Sequence, residues 1–214
     1  MMLPDPAISG RTPSVPGQTP LDDLSGLRVK SIHTAAELNA AEAENIRKAI
    51  LKYLASRPTS RSARFDSRWL CRLHAEMFGD VWTWAGTFRK RETNIGAPPH
   101  DIEVRLHALL EDIHAWKDSG MPVLEQAVRL HHVAVQIHPF PNGNGRWSRM
   151  LGNIWLKLHG AEPIEWPETT IGSASTIRGE YLEAVKVADR GDYSTLLALH
   201  ERFASRPGRK GESR

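Results

Sequence analysis

Apolar residues recur every three or four positions along most of the chain, which is the spacing of one face of an α-helix. The first three amphipathic stretches contain Leu38, Ala41, Asn45, Ile46, Ala49, Ile50 and Leu54; then Trp69, Leu73, Met77 and Phe78; then Val104, Leu106, Leu109, Leu110, Ile113 and Trp116. Further helices are predicted over residues 123–137, 146–158, 177–188 and 193–203. The stretch from Thr87 to Pro98 is the best candidate for extended structure. The pattern predicts a mainly α fold, a single helical domain with a small β-hairpin.

Both ends of the chain differ in composition from its middle. Residues 1–18 are rich in Pro, Gly, Ser and Thr, which predicts a disordered N-terminal segment. Residues 207–214 are predicted to form a flexible basic tail. The folded domain is therefore expected to span residues 19–206, and a chain of 214 residues can bury a substantial core.

Charge and cysteine content narrow the classes of partner. The formal net charge is +3, and the terminal stretch supplies three positive charges at Arg206, Arg209 and Lys210, so we do not expect nucleic acid to be a partner. Cys71 is the only cysteine, which excludes an internal disulfide and fits a reducing cytoplasm. No run of about 18 apolar residues predicts a membrane span, and the N-terminus lacks the pattern of a secretory signal. We expect a cytoplasmic protein that does not bind membranes.

The candidate chemistry lies at the start of the predicted helix 146–158. Arg146 and Arg149 fall in or just beyond its first turn, on one polar face. The N-terminus of a helix is already partially positive, so cations are disfavoured there unless an anion is bound. The preceding turn from Asn142 to Gly145 contains two glycines, and successive N–H groups at a helix start form an anion-binding concavity. His138 ends the preceding helix at the rim of this turn, where a neutral imidazole is a candidate general base.

The stretch from His138 to Arg149 resembles the signature of the Fic family, in which His-Pro-Phe is followed by an acidic residue, Gly-Asn-Gly-Arg and a second arginine. The resemblance extends to residues 82–89, to the stretch from Asn94 to Gly96, and to residues 181–197. The pattern is most similar to the Fic subgroup called mobile mystery protein B. The resemblance implies a Fic-type helical domain with a β-hairpin flap.

The resemblance also implies an activity, the transfer of AMP, or of another phosphate-containing group of a nucleotide, to a Ser, Thr or Tyr hydroxyl of a protein target, with ATP as the expected substrate. His138 would take the proton of the hydroxyl, and Arg146 and Arg149 would hold the β- and γ-phosphates. The remaining residues implied are Gly143, Asn144 and Gly145 around the nucleotide phosphates, and Asn94, Ile95 and Gly96 in the flap that positions the target.

Asn142 departs from the family pattern. AMP-transferring members carry Asp or Glu there, and that carboxylate ligates the magnesium that bridges the phosphates. An asparagine offers only a neutral carbonyl oxygen, whereas magnesium favours carboxylate and phosphate oxygens. Asn142 is therefore expected to form a weakened site for Mg²⁺ or Mn²⁺.

Glu44 has two interpretations. Many Fic proteins carry an inhibitory helix with the pattern Ser/Thr, three residues, Glu, Gly/Asn. Glu44 and Asn45 match it in the predicted helix 36–55, with Ala40 in place of the hydroxyl residue. The resemblance implies that Glu44 pairs with Arg149 and blocks the γ-phosphate. The alternative is a surface pair of Glu44 with Lys48, four residues away.

Two other functions stay open at this stage. A relative of the family, Doc, transfers phosphate instead of AMP, but its signature has Lys where this chain has Gly145. The other alternative is a nucleotide-binding or regulatory protein that has lost catalysis with the metal-binding carboxylate at position 142.

Overall fold

The computed structural model describes residues 26–171 and 175–204, and these residues are predominantly helical. The α-helices in this part of the chain are α1 (Ala35–Leu54), α2 (Ser67–Phe78), α3 (Ile102–Asp118), α4 (Val123–Ile137), α5 (Asn144–Leu158), α6 (Glu168–Ile171), α7 (Thr176–Ala188) and α8 (Ser194–Phe203). A short 3₁₀ turn at Pro99–Asp101 leads into α3. The expectations for residues 1–18 and 207–214 lie outside the described residues.

Side-chain caps fix where several helices begin. The Thr34 hydroxyl accepts the Glu37 N–H, and the Glu37 carboxylate accepts the Thr34 N–H in return, which forms a capping box at α1. Asp66 accepts the N–H of Trp69 at 2.7 Å, so α2 begins at Ser67. Such caps satisfy N–H groups that have no partner within the helix.

Helices α4 and α5 form an antiparallel hairpin at the centre of the domain. Gly152 allows their close approach, because a Cβ atom there would lie 3.2 Å from the carbonyl oxygen of Ala127. The inner face of α5 buries Trp147, Leu151 and Ile154 completely. Burying a large apolar side chain contributes about 1.5–3 kcal/mol, so this hairpin is a stable support for the loop that joins its two helices.

The other helices surround this hairpin in two groups. The first group is α1, α2 and α3, whose apolar residues join the main core. The second is α6, α7 and α8, which enclose a smaller apolar cluster that includes Val128 of α4. Among the described helices, none is both long and apolar enough to span a bilayer.

The predicted helices are confirmed, but the predicted β-hairpin is not. Helix α4 spans the predicted residues, α5 begins two residues earlier than predicted, and the short α6 has no counterpart in the prediction. Residues 87–98 contain bends and no paired strands. The segment bonds to the α4–α5 loop instead, with Arg89 N–H donating to the Pro139 carbonyl at 2.9 Å and Ala97 N–H to the Ile137 carbonyl at 3.1 Å. We call residues 87–98 the flap.

Candidate active site

The loop between α4 and α5 carries the predicted site residues. His138 ends α4 in the left-handed conformation, with φ 53° and ψ 57°, and its N–H donates to the Ala134 carbonyl. Positive φ is uncommon for residues other than glycine, and here it turns the chain sharply out of the helix. His138 is 5% exposed, so it is almost completely buried.

Asn144 and Gly143 fix the shape of the loop. The Asn144 side chain accepts the Phe140 N–H at 2.9 Å and donates to the Phe140 carbonyl at 2.8 Å. Gly143 has φ 78°, and a Cβ atom there would lie 2.7 Å from the ring of Phe78. The Asn144 side chain therefore joins the two ends of the loop.

His74, which the sequence pattern did not single out, packs against the loop between α4 and α5. Gly86 N–H donates to its Nδ1 at 3.0 Å, so Nε2 carries the proton and donates to the Asn142 carbonyl at 3.0 Å. The ring stacks on Phe140 at 3.7 Å between centroids. Burial, reinforced by the charge of Arg146, lowers the pKa of His74 to about 3. This neutral ring links α2 to the anion-binding loop.

The first arginine of the signature pairs with a residue of α1. Arg146 Nη1 lies 2.8 Å from Oε2 of Glu42, and its guanidinium covers the ring of Phe78. Glu42 is 5% exposed, and its other oxygen accepts the Nε1–H of Trp82 at 2.7 Å. Helix α1 therefore delivers a buried carboxylate to the start of α5.

The second arginine is buried against the second group of helices. Arg149 Nε donates to Glu168 Oε1 at 2.8 Å, and Nη2 donates to the other oxygen of the same carboxylate. Burial by itself would lower the pKa of Arg149, but the adjacent Glu168 outweighs it and the pKa is raised. The ring of Tyr181 lies 5.6 Å from the guanidinium.

A chain of buried polar groups continues from Tyr181. The His200 Nδ1–H donates to the Leu196 carbonyl at 2.8 Å, so its Nε2 accepts from His131 Nδ1 at 3.1 Å. His131 Nε2 then accepts from the Tyr181 hydroxyl at 2.9 Å. This order of donors requires both rings to be neutral. Burial lowers the pKa of His200 to about 4 and that of His131 well below its ordinary value.

His138 is also neutral at pH 7. Burial, followed by the positive charge of Arg89, lowers its pKa to about 4, against a hydrogen bond with the Val135 backbone that raises it. An imidazole that stays unprotonated can accept a proton from a substrate hydroxyl.

Asn142 does not provide the ligands that a tightly held divalent cation needs. Its side-chain oxygen accepts the N–H of Gly143 at 2.6 Å, so this neutral oxygen is already engaged within the loop. In the described part of the chain, no group of three or more His, Cys, Asp or Glu side chains is placed to hold a metal ion.

Glu44 does not make the predicted contact with Arg149. Its carboxylate accepts two hydrogen bonds from Arg47 at 2.8 Å, and its side chain is 52% exposed. Lys48, the alternative partner, instead pairs with Asp80 at 2.8 Å. Successive helix residues are about 100° apart, so Glu44 faces away from the side on which Glu42 reaches the site.

The predicted flap residues lie next to His138. A Cβ atom on Gly96 would lie 2.6 Å from Cβ of His138, and the φ of Gly96 is 107°. Asn94 is exposed, and Ile95 is 41% exposed. The flap therefore presents an apolar side chain to solvent beside the histidine.

Residues 64–156 match the family model described as the Fic/DOC family. Among curated proteins, the protein adenylyltransferase Fic of Drosophila willistoni is 30% identical over 125 residues, which are 56% of this chain and 24% of the relative. The Drosophila virilis protein of the same name is 29% identical over 125 residues, with the same coverage. The chain thus spans about a quarter of the length of these relatives.

Solved structures share the fold over most of the chain. BepC of Bartonella tribocorum, solved with bound AMPPNP, has a TM-score of 0.61 and 19% identity, covering 81% of this chain and 89% of that one. Fic-1 from C. elegans has a TM-score of 0.63 and 23% identity, covering 84% of this chain and 52% of that one.

Proposed function

Because residues 64–156 match the model of the Fic/DOC family, we propose that this chain transfers AMP from ATP to a hydroxyl group of a protein target. The observation that carries the proposal is a neutral histidine beside an anion-binding helix start, with two arginines on the same helix. Its support includes the Drosophila relatives, which are named protein adenylyltransferases, and the AMPPNP complex of the Bartonella neighbour.

In the proposed reaction, His138 accepts the proton of a Ser, Thr or Tyr hydroxyl. The hydroxyl oxygen forms a bond to the α-phosphorus of ATP, the bond between this phosphorus and the bridging oxygen breaks, and pyrophosphate leaves. The N–H groups of Asn144 and Gly145 at the start of α5 bind phosphate oxygens, which is where the helix dipole favours negative charge. Donors already aimed at the developing charge are the main source of rate acceleration in such reactions.

Arg146 and Arg149 bind the β- and γ-phosphates in this proposal. Both currently pair with carboxylates, so the phosphates must displace Glu42 and Glu168 or share the guanidinium groups with them. Glu168 is 47% exposed on its side chain and can swing into solvent, whereas Glu42 is buried and also holds Trp82. We therefore propose that Glu168 is displaced first. The inhibitory role predicted for Glu44 is better assigned to these two carboxylates.

The test uses purified protein, ATP labelled at the α- or the γ-phosphate, magnesium or manganese, and a cell lysate as the source of targets. AMP transfer labels protein from α-labelled ATP only, whereas a Doc-like phosphotransferase labels it from γ-labelled ATP only. His138→Ala should reduce labelling by about 10²–10⁴-fold and leave ATP affinity within about twofold, since it removes the base alone. The matched control is His107→Ala, an exposed histidine of α3. Labelling that survives His138→Ala refutes the mechanism.

A nucleotide-binding regulator without catalysis is the second candidate. It is favoured by the loss of the acidic side chain at Asn142 and by the engagement of its amide oxygen with Gly143. ATP binding without transfer of either label would support this candidate over transfer. The cytoplasmic location and the subgroup named above remain predictions.

A further inference from the structure

Arg89 is buried in the flap and bonds to three separate points of the chain. Its side chain is 5% exposed. Nε donates to the His138 carbonyl at 2.7 Å, Nη1 donates to the Arg91 carbonyl at 3.0 Å, and Nη2 donates to the Ala97 carbonyl. A planar guanidinium can serve three acceptors in different directions, which a lysine ammonium on a flexible stem cannot do with the same geometry.

Two backbone hydrogen bonds also attach the flap on both sides of His138. Arg89 N–H donates to the carbonyl of Pro139, and Ala97 N–H donates to the carbonyl of Ile137. The two ends of the flap are thus attached to the residues that flank His138. The Arg89 side chain closes the arrangement by joining Ala97 to the His138 carbonyl.

The acceptors of Arg89 are carbonyl groups, which carry no full negative charge. The carboxylate of Glu92 also acts on Arg89, and the positive charge of Arg89 adds to the effect of burial in lowering the pKa of His138. Burial also lowers the pKa of Arg89, but an arginine remains protonated at pH 7.

We propose that Arg89 is a positioning residue that ties the flap to the His138 carbonyl, so that a protein segment bound along the flap meets the imidazole in a fixed register. This proposal rests on the proposed function, because it assigns the flap to the protein target. It predicts that Arg89 sets the rate of transfer without contributing to nucleotide affinity.

The experiment compares Arg89→Gln with Arg89→Lys. Arg89→Gln removes the positive charge and the planar guanidinium. The hydrogen-bonded flap amides, at positions 89 and 97, should then exchange hydrogen about tenfold faster or more, and the pKa of His138, followed by NMR, should rise by about one pH unit. Arg89→Lys keeps the positive charge but loses the planar group that bonds in three directions. The flap amides should therefore exchange hydrogen faster, while the pKa of His138 stays near its wild-type value. Both variants should slow self-modification by about 10–100-fold with ATP affinity within about twofold of wild type.

Arg57→Gln is the matched control. Arg57 also donates to a backbone carbonyl, that of Leu158, but lies at the far end of α5 from the loop. This variant should leave flap exchange and the His138 pKa unchanged.

The flap and pKa measurements separate this proposal from the proposed function. If wild-type protein transfers no label, the transferase proposal fails, while exchange and the His138 pKa still decide the role of Arg89. If the flap amides exchange hydrogen at the wild-type rate in both variants, Arg89 does not tie the flap to His138, and the proposal is wrong. If Arg89→Gln does not fold, Arg89→Lys decides alone, and wild-type exchange and rate in that variant overturn the proposal.

Discussion

Lowering the pH from 7 to 5 should destabilise this protein strongly, because four histidines are buried in their neutral form. Their pKa values are lowered to about 3 for His74 and about 4 for His138 and His200, and the pKa of His131 is also well below its ordinary value. An unfolded histidine has a pKa near 6.5, so below this pH the unfolded chain binds more protons than the folded one. The free energy of unfolding therefore falls as the pH falls from about 6.5 towards 4.

The magnitude follows from the shifted values. A histidine with a pKa of about 6.5 unfolded and about 4 folded loses about 2 kcal/mol of stabilisation between pH 7 and pH 5. His74, His138 and His200 together lose about 6 kcal/mol, which is comparable to the whole stability of a typical domain. His131 acts in the same direction and is coupled to His200 by their hydrogen bond. Carboxyl groups titrate mostly below this window.

The assay is urea unfolding at pH 7 and pH 5, followed by the fluorescence of the buried tryptophans. His138→Gln removes one titrating group, so the loss of stability between the two pH values should shrink by about 2 kcal/mol, whatever the variant does at pH 7. His107→Gln, at an exposed position, should behave as wild type. If His138→Gln shows the wild-type pH dependence, His138 is not held neutral by burial, and its assignment as a free base at pH 7 fails.

Three further predictions concern ligand binding. Asn142→Asp should tighten Mg²⁺ binding in the presence of ATP by roughly tenfold, about 1.4 kcal/mol, because it supplies a carboxylate; equal metal titrations would mean that the phosphates alone hold the ion. Arg149→Ala should weaken ATP binding by roughly 10–100-fold, which corresponds to the loss of one charge-assisted hydrogen bond, and it should weaken ADP binding less. If calorimetry gives equal losses of affinity for ATP and ADP, the assignment of Arg149 to the γ-phosphate is wrong. Glu168→Gln should tighten ATP binding about threefold to fivefold, since a half-exposed ion pair contributes at most about 1 kcal/mol; the same gain in an Arg149→Ala background would show that Glu168 acts elsewhere.

The difference between Glu42 and Glu44 shows what the sequence pattern leaves out. The buried face of α1 contains Leu38, Glu42, Asn45, Ala49 and Tyr53, at successive spacings of four, three, four and four. A search for apolar residues passes over Glu42, although it belongs to this stripe by position. A family pattern then draws attention to Glu44, on the other side of the helix. Helical spacing alone predicts that Glu42 is buried, if polar residues are counted as members of the buried face of α1.

The elements of the site differ in how far the sequence predicts them. The glycine-containing turn from Asn142 to Gly145 and His138 are contiguous, so their local pattern is enough to bring them together. His74 contacts Asn142, which is 68 positions away in the sequence, and Arg89 contacts His138, which is 49 positions away. No local sequence pattern specifies either pairing. Glu168 lies in a four-residue helix that is too short to show a period.

The partners of the two signature arginines have a consequence for protein engineering. Glu42 precedes the residues that match the family, and Glu168, Tyr181 and His200 follow them. Two chains with the same sequence over residues 64–156 would thus offer a nucleotide different charges if their flanking helices differed. Moving that segment alone into another protein would transfer the arginines without the groups that restrain them, so a functional graft must also carry α1 and the helices from α6 to α8.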